Sequence, residues 1–343
     1  MSGIRPTGFL HLGNYFGALR NYVRMQEQYT CYFMVADLHA LTTLKETKEL
    51  KVHVRRVLAE NIAAGLDPEK VALYCQSHVP ETAELYLFLN MLAYVGELEK
   101  TPTFKDKVRL QPQNVNAGLL TYPVLQAADI LLHRATNVPV GKDQEQHLEI
   151  ARNYVNRFNQ RYGGEVFPEP HAFNFGEALA RVPSLDGAGK MSKSENQMAT
   201  LYLADDDETI RKKISKAKTD SAGGAAVKSE GGQEESLPSM PELVAMPESV
   251  ANLFQLLKLV CPQDMYDKFQ TDYQAGTIRY GDMKKELAEG MVQFIAPIRE
   301  KAEAIRNDEP YLRQVMEQGA AKARASAGKT LQLAKDAIGL TYY

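Results

Sequence analysis

Two lysines and two serines stand within the five residues Lys190-Met191-Ser192-Lys193-Ser194, shortly after Gly187 and Gly189. Ammonium groups and hydroxyls at this density, on a segment that glycine makes pliable, suit a loop that swings onto an anion. The fitting chemistry is a reaction whose transition state gathers negative charge on phosphate oxygens. A solvated surface turn has the same composition, so this run gains meaning only from a partner. The partner lies far upstream, in Arg5-Pro6-Thr7-Gly8-Phe9-Leu10-His11-Leu12-Gly13-Asn14-Tyr15. Pro6 and Gly8 read as a turn after a short opening strand. A helical apolar period then starts at Leu12 and continues through Tyr15, Phe16, Leu19, Tyr22 and Val23. Gly13, in the first turn, leaves the backbone open to a ligand. His11 and Asn14 stand near the helix N-terminus, where free N–H groups and the dipole favour phosphate. A histidine at a helix start is commonly a cap or a packing residue. Its spacing from Asn14, behind a Pro-Thr-Gly turn, favours a ligand instead.

These two runs need a frame, and the first half of the chain supplies one. Short apolar runs alternate there with helical periods, as a doubly wound parallel sheet requires. Residues 31–36 and 71–75 read as buried strands, with helical spacing over 47–65 between them. A second helix is expected over 81–95 and ends at Gly96; a third opens at Pro123 and runs through His133. A short strand at 138–140 precedes a helix over 143–158. Ligands bind at the carboxyl ends of such strands, and His11, Asp143 and Lys190 are expected on that side. After Ser194 the character changes. Residues 209–218 form a lysine-rich amphipathic segment, and 221–241, rich in Gly, Ser and Glu, reads as a loop. From Met246 onward the spacing is helical almost throughout, ending in a long helix rich in Ala and Lys. The expected fold is α/β, a Rossmann-like doubly wound parallel sheet followed by an all-helical domain. Its divisions are a catalytic domain over 1–186, the loop over 187–195, and the helical domain over 196–343.

Composition sets limits. The 343 residues are enough for two cores. A net charge of −3 gives no global basic field, so any nucleic-acid contact uses local patches. Cys31, Cys75 and Cys261 have no zinc or cluster spacing and read as thiols in a reducing cytoplasm. Neither a secretory signal nor an apolar run of spanning length is evident, which points to a cytoplasmic protein with no membrane partner. The chain has no tryptophan.

HLGN after a Pro-Thr-Gly turn, with KMSKS about a domain's length later, resembles the class I aminoacyl-tRNA synthetases. Further stretches narrow the likeness: residues 118–123 (GLLTYP), 126–132 (QAADILL) and 138–144 (VPVGKDQ), followed by His147. Together they resemble the bacterial tryptophanyl-tRNA synthetases from about Ser2 to the C-terminal helix. The segment around 221–236 departs from that pattern, and the chain lacks the cysteines for the iron–sulfur site that some members carry. Met1-Ser-Gly-Ile starts nearer the turn than is usual in the family, so the first strand is expected to be short.

The resemblance implies activation of L-tryptophan with ATP to tryptophanyl-adenylate and pyrophosphate, then transfer to tRNA(Trp). The substrate carboxylate is the nucleophile, so the protein need only align reactants and stabilise charge. Thr7, His11 and Asn14 are assigned to the phosphates and Gly13 to clearance for the adenine. Lys190 and Lys193 are expected to neutralise departing pyrophosphate. The family adds Arg5, Pro6, Gly141, Lys142, Asp143, Met191, Ser192 and Ser194 to the nucleotide site, with Val182 beside the adenine. Asp143 reads equally as an N-cap. Magnesium is expected on the ATP phosphates, without a dedicated protein cage.

Asp129 projects among Leu125, Gln126, Leu132 and His133 from a largely apolar surface, where a carboxylate needs a donor. Indole offers one N–H and no acceptor, which fits tryptophan; an internal partner for Asp129 is the structural reading. In the resembled family Tyr122 and Gln144 match positions that hold the substrate's amino group. A homodimer is implied, its interface supplied by an insertion over 79–123. Lys212, Lys213, Lys216 and Lys218 are placed to meet tRNA phosphate or simply form a solvated face. The rival readings are a tyrosyl-tRNA synthetase, since a carboxylate also accepts a phenol proton, and a synthetase paralogue with a partner-binding role.

Overall fold

The computed structural model describes the chain apart from residues 45, 141–144, 174–181, 188, 192–195, 220–245 and 343. The expected loop over 221–241 therefore lies outside the described residues. Two compact units emerge: Met1–Leu10, Gly17–Leu179 and Lys301–Tyr343 form one, and His11–Phe16 with Ala180–Glu300 form the other. This division does not follow the expected boundary at 186, because the C-terminal helix packs in the first unit.

The first unit holds a parallel sheet. Strands β1 (Ser2–Ile4), β2 (Tyr32–Val35) and β3 (Ala72–Cys75) pair in parallel in that order, with Gly3 opposite Met34 and Met34 opposite Tyr74. Strands β4 (Asn137–Val138) and β5 (His171–Ala172) form a second parallel pair. The Met1 ammonium donates to the Asn137 carbonyl at 3.2 Å, which sets β4 beside β1. The strands thus form a three-stranded sheet in the order β1-β2-β3 and a separate two-stranded one, β4-β5. Ligands of parallel sheets bind outside the carboxyl ends of the strands. Strand β3 is buried throughout, as its unbroken apolar run requires.

Most of the other described residues are helical. In chain order the helices are α1 (Leu12–Asn14), α2 (Arg20–Met25), α3 (Asp37–Leu41), α4 (Leu50–Ala63), α5 (Glu81–Asn90), α6 (Val95–Leu98), α7 (Pro102–Leu110), α8 (Ala117–Leu132) and α9 (Glu145–Tyr162). There follow α10 (Asp207–Ser215), α11 (Glu248–Val260), α12 (Gln263–Gln274), α13 (Tyr280–Asn307) and α14 (Glu309–Ile338). In the first unit α14 lies directly on β3. Gly319 permits it: a Cβ there would stand 1.9 Å from the Leu73 carbonyl oxygen. The core of this unit is shared by the strands, α5, α8, α9 and α14, around Leu85, Val124, Leu131, Phe158 and Ala323.

Two expectations need correction. The helix expected from Pro123 begins six residues earlier, at Ala117, and holds Pro123 inside it. Asn116 is its cap, its side chain accepting the Leu119 N–H at 2.9 Å. Because Pro123 lies within the second turn, the Leu119 carbonyl is the only acceptor the missing N–H leaves without its helical donor. The helix expected over 81–95 stops at Asn90 and restarts as α6 at Val95, past the turn at Met91 and Leu92.

Candidate active site

In the first unit the chain after each strand's carboxyl end carries polar residues. After β1, Pro6 is buried, the Thr7 N–H returns to the Arg5 carbonyl at 2.9 Å, and Gly8 takes a left-handed φ of 112°. The turn is pinned by α4: the buried Glu60 carboxylate accepts the Leu10 N–H at 3.1 Å, and the Arg56 guanidinium lies 3.9 Å over the Phe9 ring. Arg5 donates to the Thr43 hydroxyl, and burial holds its pKa below the ordinary value.

After β2 and β3 come the groups that hold Asp129. His39 Nε2 meets one carboxylate oxygen at 2.8 Å, and Gln76 Nε2 donates to both, at 2.8 and 3.0 Å. Gln76 Oε1 in turn accepts the His39 backbone N–H at 3.2 Å, closing a ring of three residues. Asp129 is 3% exposed. Burial raises its pKa, opposed by the hydrogen bonds from His39 and Gln76. An ionised carboxylate offers about four lone-pair directions; three are met here, which leaves one for a further N–H.

Tyr122 stands seven residues before Asp129 on α8, hence on the same face about 10 Å along the axis. Its hydroxyl shares a hydrogen bond of 2.9 Å with His147 Nε2, and the Lys107 ammonium sits 3.4 Å from its ring centroid. Burial, and then the neighbouring Arg5 charge, brings the Lys107 pKa down to about 8. Lys107 therefore lies between the residue expected on the nucleotide and the one expected on the substrate amine. Gln144, Gly141, Lys142 and Asp143 lie outside the described residues.

The second unit joins the two signature runs. The Leu12 N–H donates to the Leu201 carbonyl at 3.0 Å, and His11 bridges Tyr202. Asn14 Oδ1 accepts the His11 N–H at 3.1 Å, and His11 is 5% exposed. Downstream a π-helical turn over Tyr15–Leu19 leads into α2, where one helix had been expected. Within this unit Tyr15 and Phe16 pack on Phe294 of α13, at 5.1 and 5.3 Å between ring centroids.

Gly187 and Gly189, expected to make a pliable loop, take left-handed φ values of 78° and 70° in a tight hairpin. There Pro183 bridges Lys190, and the Met191 N–H donates to the Val182 carbonyl at 2.8 Å. Val182 and Met191 are fully buried, while Lys190 is exposed. The hairpin meets the helix start directly: a Cβ on Gly13 would lie 2.8 Å from the His11 ring and 3.3 Å from the Met191 carbonyl oxygen. Gly13 is thus fixed by close approach of the hairpin and the imidazole. Ser192, Lys193 and Ser194 lie outside the described residues.

One basic residue proposed for phosphate is not available. Lys213 is buried, with its ammonium on the Thr200 carbonyl at 2.9 Å and on the Asp205 carboxylate at 2.7 Å; Lys212, Lys216 and Lys218 are exposed. A buried ammonium needs such a partner, and helical spacing alone does not show which lysine of a run will have one. Among the described residues no group of three or more His, Cys, Asp or Glu side chains is placed to hold a metal ion. Sequence reasoning also missed His39, Gln76 and Lys107. The first two carry a readable signal, each lying within four residues of a strand end.

A family model described as tRNA synthetases class I (W and Y) matches residues 1–296. The chain belongs to that family and is a class I aminoacyl-tRNA synthetase. The synthetase is 51% identical over 339 residues to a tryptophan–tRNA ligase of Porphyromonas gingivalis, covering 99% of this chain and 98% of that protein. A tryptophanyl-tRNA synthetase of Campylobacter jejuni, solved as a complex with ADP and tryptophan, is 34% identical with a TM-score of 0.82, over 98% of both chains. That of Mycoplasma pneumoniae is 32% identical with a TM-score of 0.81, covering 99% of the synthetase and 97% of that chain. Among the described residues no helix is long and apolar enough to cross a membrane.

Proposed function

We propose that the synthetase is the ligase that activates L-tryptophan with ATP and transfers it to tRNA(Trp) in the cytoplasm. The amino-acid carboxylate attacks the α-phosphate, a new C–O–P linkage forms, and pyrophosphate leaves. No protein nucleophile enters; the residues align reactants and meet the charge. The observation that carries the amino-acid choice is the buried, donor-locked carboxylate of Asp129 two turns from Tyr122 on one face of α8. That spacing suits a substrate gripped by its indole N–H at one end and its amino group, with Gln144, at the other.

For the nucleotide, Arg5, Pro6 and Thr7 are assigned with Gly141, Lys142 and Asp143. His11, Gly13 and Asn14 are assigned with Val182 and the loop residues Lys190 to Ser194. The joining of Gly13 to Met191 by close approach supports a shared role for the two signature runs. Magnesium arrives with ATP and lies on its phosphates. The domain roles assigned with this reading are a sheet domain, joined by α14, for activation, the loop over 187–195, and the helices between 196 and 300 for the anticodon.

A homodimer is part of this reading. Leu87, Met91, Tyr94, Val95 and Leu110 leave an apolar surface open on the insertion over 79–123, with Leu110 80% exposed. Met91→Glu with Leu110→Glu should halve the mass seen by light scattering; an unchanged mass removes that interface. The assignment itself is tested by ATP–pyrophosphate exchange with tryptophan and with tyrosine, followed by charging of tRNA. Exchange should require tryptophan. Equal or greater support by tyrosine would overturn the amino-acid assignment.

A further inference from the structure

Behind the Asp129 ring of hydrogen bonds, the first unit has a cavity of about 530 Å³ between α4, α14 and the end of β3. Its size falls in the range of small-molecule sites. Each helix lines it with two i,i+4 rows. From α4 come an apolar row, Leu50 and Val54, and a cationic one, Lys51 and Arg55; from α14 come Leu312 and Met316 beside Glu309 and Arg313. The floor is closed by Cys75, whose thiol donates to the Met316 thioether at 3.6 Å.

The charges do not cancel. Arg55 pairs with Glu309, which Arg313 also approaches at 3.7 Å. Asp37, on the far wall, is occupied by the N–H groups of Leu38 at 3.0 Å and Ser77 at 2.9 Å. The walls thus carry three cations (Lys51, Arg55 and Arg313) against two carboxylates, and Lys51 is the cation outside the Glu309 pairing. An apolar floor under an unbalanced ammonium calls for a molecule with a hydrocarbon body and one negative head.

We propose that this cavity is a second ligand site, taking a small amphipathic monocarboxylate, and that filling it tightens tryptophan binding. The coupling rests on the reading of Asp129 given above. Cys75 lines the cavity and immediately precedes Gln76; Asp37 lines it two residues before His39. Gln76 and His39 are the two donors to Asp129. A ligand that restrains Cys75 and Asp37 restrains both donors and lowers the ordering cost of binding the substrate.

The probe is octanoate, titrated calorimetrically into the full-length protein, with octyltrimethylammonium as a cation bearing the same tail. Octanoate should bind saturably, about one per chain, and the cation should not. Lys51→Glu, an exposed change, should weaken octanoate by roughly tenfold or more, and Val54→Phe should abolish binding by filling the cavity. Saturating octanoate should lower the KM for tryptophan in pyrophosphate exchange by about fivefold, the low end of allosteric couplings. It should leave the KM of the Val54→Phe protein unchanged. Absent binding, equal binding of the cation, or binding indifferent to both variants overturns the site. Binding with an unchanged KM overturns the coupling. Neither result alters whether exchange depends on tryptophan or tyrosine, so failure here is distinct from failure of the proposed activity.

Discussion

Replacing Asp129 by Asn keeps shape and volume while removing the charge and one acceptor oxygen. In the native site one carboxylate oxygen accepts from Gln76 at 2.8 Å, and the other accepts from His39 at 2.8 Å and from Gln76 at 3.0 Å. The asparagine amide must turn its NH2 toward one of those donors, and its single carbonyl oxygen is taken by the other. The indole N–H then meets either a donor or an occupied neutral acceptor. A hydrogen bond to a charged group contributes about 1.5–3 kcal/mol, so the variant should bind tryptophan about 10- to 150-fold more weakly. Because the chain has no tryptophan of its own, the bound amino acid is the only indole and can be titrated by its fluorescence. The KM for ATP in pyrophosphate exchange should be unchanged. A pH series adds an independent check. Burial raises the Asp129 pKa above its ordinary 3.8, so ionised Asp129 costs stability that is relieved as the pH falls. If the indole N–H meets ionised Asp129, tryptophan binding should be lost as the pH falls through that raised pKa, and the acidic limb should vanish in Asp129→Asn. A tryptophan affinity within twofold of wild type would refute the placement of the indole.

Three further outcomes follow from the geometry. Lys107 loses its proton near pH 8 through burial and the Arg5 charge; the KM for ATP should rise as the pH passes through that value, and Lys107→Met should flatten the profile. Gly319→Ala puts a Cβ 1.9 Å from the Leu73 carbonyl oxygen, a backbone clash that should lower the melting temperature by about 5 °C or more; an unchanged melt would mean that α14 does not press on β3. His133 shares a 2.9 Å hydrogen bond with the Tyr74 hydroxyl and stacks on Tyr32 at 4.1 Å, and burial lowers its pKa from 6.5 to about 3. The unfolded chain takes up that proton first, so stability present above 6.5 is lost as the pH falls toward 3. Denaturant titration should show His133→Phe losing less stability than wild type across that window.

The residues assigned to phosphate were more legible than those around Asp129. Runs such as HLGN and KMSKS carry rare spacings of donors in or beside glycine, and Gly13 proves to be closely approached by His11 and by Met191. Asp129 was legible as a buried carboxylate in need of a donor. Its donors were not, because His39 and Gln76 follow two strands while Asp129 lies on α8, and a place near a strand end does not say which group a side chain meets. Lys213 shows the same limit in reverse: Lys212 and Lys216 are solvated, while a carboxylate eight residues earlier holds Lys213 inside. Local rules also misplaced the start of α8, where Asn116 caps the helix and Pro123 is tolerated within it. Tertiary packing decides such cases, and that packing is not periodic.

The central claim is that the His11 helix start and the Lys190 hairpin act on the same phosphates. A double-mutant cycle on the tryptophan activation rate, with His11→Ala, Lys190→Ala and the pair, tests it most directly. The account predicts that the double variant loses far less than the product of the two single losses. Losses that multiply would show the two groups acting independently and contradict it.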